Sequence, residues 1–194
     1  MKHDMILAGV GGQGVLSIAA IIGMAAVDAG LYLKQSEVHG MSQRGGTVQS
    51  HLRLSDRPIH SDLVAEGCAD MLVSMEPMEA LRYVPFLAMD GVIVSDRTPV
   101  VNIPNYPDLE DVLTTLRGYP HVWLVDAEGI AREMRAVRSS NMVLLGAASA
   151  FLPLAAEDVE AAIGQVFDRK GEKVVEQNVD AFRRGRAVVQ LDTH

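Results

Sequence analysis

The sequence predicts an α/β protein, a three-layer αβα sandwich with a mostly parallel sheet and a helical C-terminal third. Three observations predict it. Short apolar runs alternate with helical stretches over residues 5–126. The apolar residues, 48% of 194, are mostly Ala, Val, Leu, Ile and Met with few aromatics, which suits helices packed on a buried sheet. Beyond residue 126 only helical patterns remain.

"MILAGV" (5–10) is a short apolar run ending at glycines and reads as a buried strand. "GVLSIAAIIGMAAVDAG" (14–30) is long enough for a helix and stops at Gly30, a C-terminal capping position. "LYLKQSE" (31–37) reads as the second strand, and strand–glycine turn–helix–strand predicts a parallel neighbour pair with a right-handed crossover. In "TVQSHLRL" (47–54), Val48, Ser50, Leu52 and Leu54 alternate with wetter positions, a strand pattern. Residues 57–62 read as a turn and short edge. "MLVSM" (71–75), "GVIVSD" (91–96) and "HVWLVD" (121–126) are further strands, and 76–87 a helix with Pro77 in its first turn. "TPVVNIPNYPDL" (98–109) is too rich in proline for a helix or a central strand. Residues 126–137, 141–152, 156–168 and 172–188 read as helices. No repeat or linker interrupts the chain, so a single domain over 1–194 is expected.

Composition removes several function classes. A net charge of −8 argues against binding a nucleic-acid backbone, while leaving room for one local cationic site. One cysteine, Cys68, excludes an intramolecular disulfide and a cluster held by this chain alone, and suggests a cytoplasmic protein. With no basic neighbour in sequence, Cys68 is expected to be a buried, inert thiol. The ten methionines read as core and interface filler. No stretch has the length and composition of a signal peptide or a membrane span, so no membrane partner is expected.

Two glycine-bearing segments carry the functional signal. Gly9, Gly11 and Gly14, with Gly12 and Gln13 inside, follow a strand and open a helix, a Rossmann-like arrangement. Such a turn brings an anion to free N–H groups at a helix start. A dinucleotide would also need an acid at the end of the second strand, where Lys34 and Gln35 stand instead and Glu37 comes late. Another phosphate-bearing ligand and a purely structural turn remain the alternatives. The second segment is "EVHGMSQRGGTVQSH" (37–51). Gly40, Gly45 and Gly46 free the backbone, and Arg44 offers a planar fork suited to phosphate or carboxylate, with Ser42 and Gln43 beside it. His39 and His51 lack the ligand spacing of a metal site, and a histidine bonded to backbone is the simpler expectation. Ser139, Ser140 or Asn141 would cap the helix at 141.

"GVGGQGV" (9–15), "EVHGMSQRGGTVQSHLRLSD" (37–56), "ADMLVSMEP" (69–77), "NMVLLGA" (141–147) and "NVDAFRRG" (178–185) together resemble the gamma-type domain of 2-oxoacid:ferredoxin oxidoreductases, nearly end to end. The resemblance implies a three-layer module, inactive alone, that packs on a larger partner subunit. It implies that thiamine diphosphate, its Mg ion and the iron–sulfur clusters lie on that partner, that ferredoxin takes the electrons, and that coenzyme A is a ligand shared with this chain. By the family motifs, Gly11, Gly12, Gln13 and Gly14 would face the ligand or partner, with Ser42, Gln43, Arg44, Gly45 and Gly46 at the same edge. No residue of this chain is expected to be catalytic or to hold a metal. An apolar surface normally covered by the partner is expected, and with it self-association of the isolated chain as a homodimer. Self-sufficient NAD(P) or flavin chemistry, or a non-catalytic assembly role, are the competing readings.

Overall fold

The computed structural model describes residues 1–39 and 45–191. Six strands, β1 (Lys2–Val10), β2 (Tyr32–His39), β3 (Thr47–Ser55), β4 (Ala69–Ser74), β5 (Leu87–Asp96) and β6 (Val122–Val125), form one sheet in the order β2-β3-β1-β4-β5-β6. The helices are α1 (Val15–Asp28), α2 (Pro77–Tyr83), α3 (Leu109–Arg117), α4 (Ala127–Glu133), α5 (Ser140–Ala148), α6 (Ala156–Phe167) and α7 (Glu172–Leu191).

The two-residue period of a strand divides the core. Met5 and Leu7 of β1, with Met71 and Val73 of β4, pack against α1 and α4–α7. Ile6, Ala8 and Leu72 turn the other way, towards Ala80 and Tyr83 of α2 and Leu116 of α3. Three layers result, the αβα sandwich expected. Helix α5 is buried all round from Asn141 to Ala148, which explains its uniformly apolar sequence.

The sheet departs from expectation at residues 57–62, which form no edge strand, and in the neighbours of β1. β1 and β2 point the same way but are not neighbours, because β3 lies between them and is antiparallel to both. The short connection between β2 and β3 closes a hairpin, and a hairpin partner must run antiparallel. β4, β5 and β6 then continue parallel to β1, so β3 alone is reversed. The C-terminal ends of β1, β2, β4, β5 and β6 therefore share one edge with the start of β3.

Local signals hold elsewhere. Gly30, at φ 77°, ends α1 as expected, its N–H bonded to Val27 O at 2.9 Å. Pro77 sits in the first turn of α2. Helix α3 is an addition to the sequence reading, capped by Asp108, whose side chain accepts from the Glu110 N–H at 2.9 Å. Cys68 is exposed rather than buried, because it stands in the turn just ahead of β4. Among the described residues no helix is long and apolar enough to cross a membrane.

Candidate functional site

The edge that gathers the strand ends also gathers the described part of the predicted site. β1 ends at Val10, and the chain turns through Gly11–Gly14 into α1. Gly12 and Gly14 have φ of 104° and 86°, which an L side chain would resist. A Cβ on Gly14 would also fall 2.5 Å from Asn141 Nδ2. Gln13 folds back on the turn: its Oε1 accepts from Val10 N at 2.7 Å, and its Nε2 donates to Met75 O at 2.8 Å. Both ends of its amide are committed to backbone, so Gln13 shapes the turn.

The start of β3 is fastened to this turn. Gly11 N donates to Gly46 O at 2.8 Å, and Gly45 N donates to Gly11 O at 3.4 Å. The structure thus brings Gly11, Gly45 and Gly46 together. Ser42, Gln43 and Arg44, with Gly40, lie outside the described residues. His51 is buried in mid-strand, and its Nδ1 accepts from Val64 N at 3.0 Å, the backbone-bonded role expected of it. Burial, and then Arg53, push its pKa down.

Two helix starts meet here. Gly14 caps α1 without a side chain, and α5 begins after Ser139 with no side-chain cap. The capping expected of Ser139, Ser140 or Asn141 is not made. Asn141 instead donates to Gly14 O at 3.4 Å, tying the two starts together. The start of α1, left without a side-chain cap, and its dipole favour an anion on this side of the edge, whereas α5 runs on from a 3-10 turn, Val137–Ser139, in which Ser139 N donates to Ala136 O at 2.7 Å and Ser140 N to Val137 O.

The other side is acidic, which the sequence reading missed. Between the Gly45–Gly46 arm, α2 and the segment after β5 lies a cavity of about 170 Å³, whose lining includes Thr47, Glu76, Glu79, Arg82, Asn102 and Tyr106. Glu76 is 1% exposed. Its Oε2 caps α2 through the Glu79 N–H at 2.8 Å, and its Oε1 accepts from the Tyr106 hydroxyl and from Val100 N at 3.4 Å. Glu79 Oε1 accepts from Thr47 Oγ1 at 3.3 Å. Its Oε2 makes no hydrogen bond of good geometry, although Arg82 Nε lies 3.3 Å away. Burial pushes the Glu79 carboxyl up, with Arg82 opposing. The signal was present in "MEPMEALR", where Glu76, Glu79 and Arg82 recur at helical spacing.

A third buried acid stands at the end of β5. Asp96 is 3% exposed, and its Oδ1 accepts from Thr98 N at 3.0 Å. Burial pushes its pKa up to about 6, against the pull of Thr98. A folded-state pKa above the unfolded one favours the fold at low pH, and that contribution is lost as pH rises through about 6. The cost at neutral pH is of order 3 kcal/mol, at 1.36 kcal/mol per unit. Asp96→Asn keeps the acceptor and removes the charge. It is expected to raise the urea midpoint at pH 7.5, with the gain fading towards pH 4. A gain equal at both pH values would refute the buried charge.

Large exposed apolar side chains stand at both edges. Leu16 follows the glycine turn, Val38 stands near the end of β2, and Val101 and Ile103 lie in the segment after β5, whereas Val27 is near the end of α1, Tyr32 starts β2 and Met89 is early in β5. Among the described residues no three His, Cys, Asp or Glu side chains are grouped to hold a metal ion.

Comparison with known proteins places the chain. The family described as pyruvate ferredoxin/flavodoxin oxidoreductase matches residues 4–188. The indolepyruvate oxidoreductase subunit IorB of Pyrococcus horikoshii is 36% identical, covering 95% of this chain and 94% of the relative. That of Archaeoglobus fulgidus is 34% identical with the same coverage. In fold, the chain matches a gamma subunit of a keto/oxoacid ferredoxin oxidoreductase from Geobacter sulfurreducens, with TM-score 0.73, 24% identity, and coverage of 97% of this chain and 99% of that one. It also matches a 2-oxoglutarate:ferredoxin oxidoreductase from Magnetococcus marinus, solved with 2-oxoglutarate, coenzyme A and succinyl-CoA, at TM-score 0.79 and 23% identity. That match covers 98% of this chain but only 31% of the longer one. With a family match over nearly its whole length and relatives above 30% identity along it, the chain belongs to the pyruvate ferredoxin/flavodoxin oxidoreductase family.

Proposed function

We propose that this chain is the non-cluster subunit of a 2-oxoacid:ferredoxin oxidoreductase acting on an arylpyruvate such as indolepyruvate, and that its glycine-turn edge faces coenzyme A in the assembled enzyme. It works in the cytoplasm and is inactive alone. The larger partner holds thiamine diphosphate with its Mg ion and the iron–sulfur clusters, which together cleave the 2-oxoacid beside its carbonyl and pass electrons to ferredoxin. This chain contributes position and electrostatics.

The observation that supports the ligand reading is the start of α1 at Gly14, which has no side-chain cap and is tied to the start of α5 through Asn141 on one side of the edge. A phosphate there gains from N–H groups and the helix dipole. The cavity beside it is lined by the buried carboxylates Glu76 and Glu79 and by Arg82, which is already paired with Glu79, so we set a phosphate on the α1–α5 side. A dinucleotide fits less well. In a Rossmann site the strand next to β1 brings its C-terminal end, and a ribose-binding acid, to the ligand. Here that neighbour is β3, which brings its N-terminal end, at Thr47.

Arg44 enters on sequence grounds, as a cation flanked by glycine in a chain of net charge −8. The test is reconstitution with the partner. The chain alone is expected to carry no iron and to turn over no 2-oxoacid, and the complex to oxidise arylpyruvate with coenzyme A dependence. Arg44→Ala is expected to weaken apparent coenzyme A affinity about ten- to a hundred-fold, since a charge-assisted hydrogen bond is worth about 1.5–3 kcal/mol. Arg44→Lys recovers part of this, because it lacks the fork. Unchanged affinity in a normally assembled complex removes Arg44 from the ligand site. Failed assembly with normal affinity makes its loop a subunit contact.

A further inference from the structure

The acidic cavity is enclosed by a closed circuit of contacts. The glycine turn is joined through Gln13 Nε2 to Met75 O, at 2.8 Å, and Met75 N is bonded to Ala8 O at 2.9 Å. The next residue, Glu76, caps α2 and anchors the segment after β5 through Val100 N and the Tyr106 hydroxyl. Within that segment Asn102 N is bonded to Val100 O at 2.9 Å, and Asn102 Nδ2 donates to Gly45 O at 2.6 Å. Gly45 and Gly46 return to Gly11 by the two backbone bonds described above.

Every link but one is backbone or is held by a side chain at least half covered. The exception is Asn102, whose exposed amide reaches across 57 residues of sequence to the Gly45 carbonyl. The two glycines have no side chains with which to fix themselves. Gly45 has φ 77° and no neighbour within 4 Å of the position a Cβ would take. We infer that Asn102 is a positioning residue: its amide holds the Gly45–Gly46 arm against the Gly11 turn, and through that arm sets the edge that meets coenzyme A. Glu76 fixes the segment from which Asn102 reaches. This role rests on the reading of the edge as the ligand-facing one.

The test uses Asn102→Asp, which keeps the shape but opposes an oxygen to the Gly45 carbonyl, and Asn102→Gln, which keeps an amide donor. In the isolated chain, hydrogen exchange at the Gly11 and Gly45 amides is expected to speed up in Asn102→Asp while the melting temperature stays near wild type, since Asn102 is exposed. In the reconstituted complex the KM for coenzyme A is expected to rise about three- to ten-fold with turnover at saturating coenzyme A retained, the range that one neutral hydrogen bond implies. Asn102→Gln should lie between the two. Unchanged exchange at both glycine amides overturns the inference outright. Faster exchange with an unchanged KM also overturns it, and Arg44→Ala then tells which reading failed. If Arg44→Ala still raises the KM, the coenzyme A reading stands and only the role of Asn102 falls. If neither variant moves the KM, the ligand reading falls with it.

Discussion

A Gly185→Ala variant is expected to lose about 3 kcal/mol of stability or more, the upper part of the range for overpacking a core. Helices α5 and α7 touch backbone to backbone. A Cβ on Gly185 would lie 1.8 Å from Val143 O and 2.6 Å from its carbonyl carbon. The contact is reciprocal, since a Cβ on Gly146 would lie 1.9 Å from Phe182 O. No rotamer change relieves either clash, because the atoms met are backbone. The helices must separate, and α5 is the buried centre of its layer, so separation strips contacts from α1, α4 and α7 together. For a chain of this size the loss corresponds to a fall in Tm of about 6–12 °C. Gly146→Ala should cost a similar amount, and the double variant less than the sum, because one separation serves both. Gly164→Ala is the internal control. It lies within α6, and the nearest atom to its added Cβ would be Val175 Cγ1 at 4.0 Å. That change should stabilise by about 0.5–1 kcal/mol, the ordinary cost of a helical glycine. If Gly185→Ala melts where the wild type does, α5 and α7 are not packed as described.

How much of this was legible in the sequence depends on the range of the interaction. The strand at 5–10, the glycine turn and the helix ending at Gly30 are written locally and were read correctly. The pairing of β1 was not. Whether 47–54 inserts beside 5–10 or lies outside 31–37 is decided by pairings between residues far apart in sequence, from Val10 with Thr47 to Lys2 with Ser55, and both placements bury the same alternating side chains. Helix α3 had a local signal in Asp108 with Val112, Leu113 and Leu116, but it directly follows a proline-rich run that argues against any element. Of the site, glycine composition marked Gly11–Gly14 and Gly45–Gly46. The helical spacing of Glu76 and Glu79 is legible in the sequence, but that they line the same edge is not, because their direction is set by how α2 packs on β1 and β4. Asn102 and Tyr106 were invisible for the same reason: each acts on a partner 57 or 30 residues away. The glycine turn and the Arg44 loop are the sequence grounds for an anion, and neither foretells the buried carboxylates Glu76 and Glu79 in the cavity beside the turn.

The second large effect is expected from Arg53→Ala, at the far end of the sheet from the site. Asp4 and Arg53 face each other across β1 and β3. Arg53 Nε and Nη2 reach Asp4 Oδ1 and Oδ2, each at 2.9 Å, and Nη1 donates to the carbonyls of Ser61 and Leu63, each at 3.0 Å. One guanidinium thus pairs a carboxylate that is 1% exposed and fastens the segment between β3 and β4 over the sheet. Under that segment Val64 is buried and bonded to His51. Burial alone would push the Asp4 carboxyl up, but hydrogen bonds and charges from Arg53 and Lys2 outweigh it and hold it below the ordinary carboxylate value. The pair therefore stabilises the fold above an unfolded-state pKa of about 3.9, and the contribution is lost as pH falls through the lower folded value. Removing Arg53 leaves the buried carboxylate with Lys2, at 2.8 Å, and frees the segment. The expected cost at neutral pH is about 3–5 kcal/mol, the range for breaking a buried pair from one side. It should shrink as pH is lowered and Asp4 takes up a proton. Asp4→Asn in the Arg53→Ala background removes the stranded charge and should recover part of the loss, an asymmetry that a simple loss of packing would not produce. Urea midpoints of the four proteins at pH 7 and pH 4.5 measure it. Equal losses at both pH values, with no recovery in the double variant, would show that Arg53 holds the segment by its reach alone and that its charge contributes nothing.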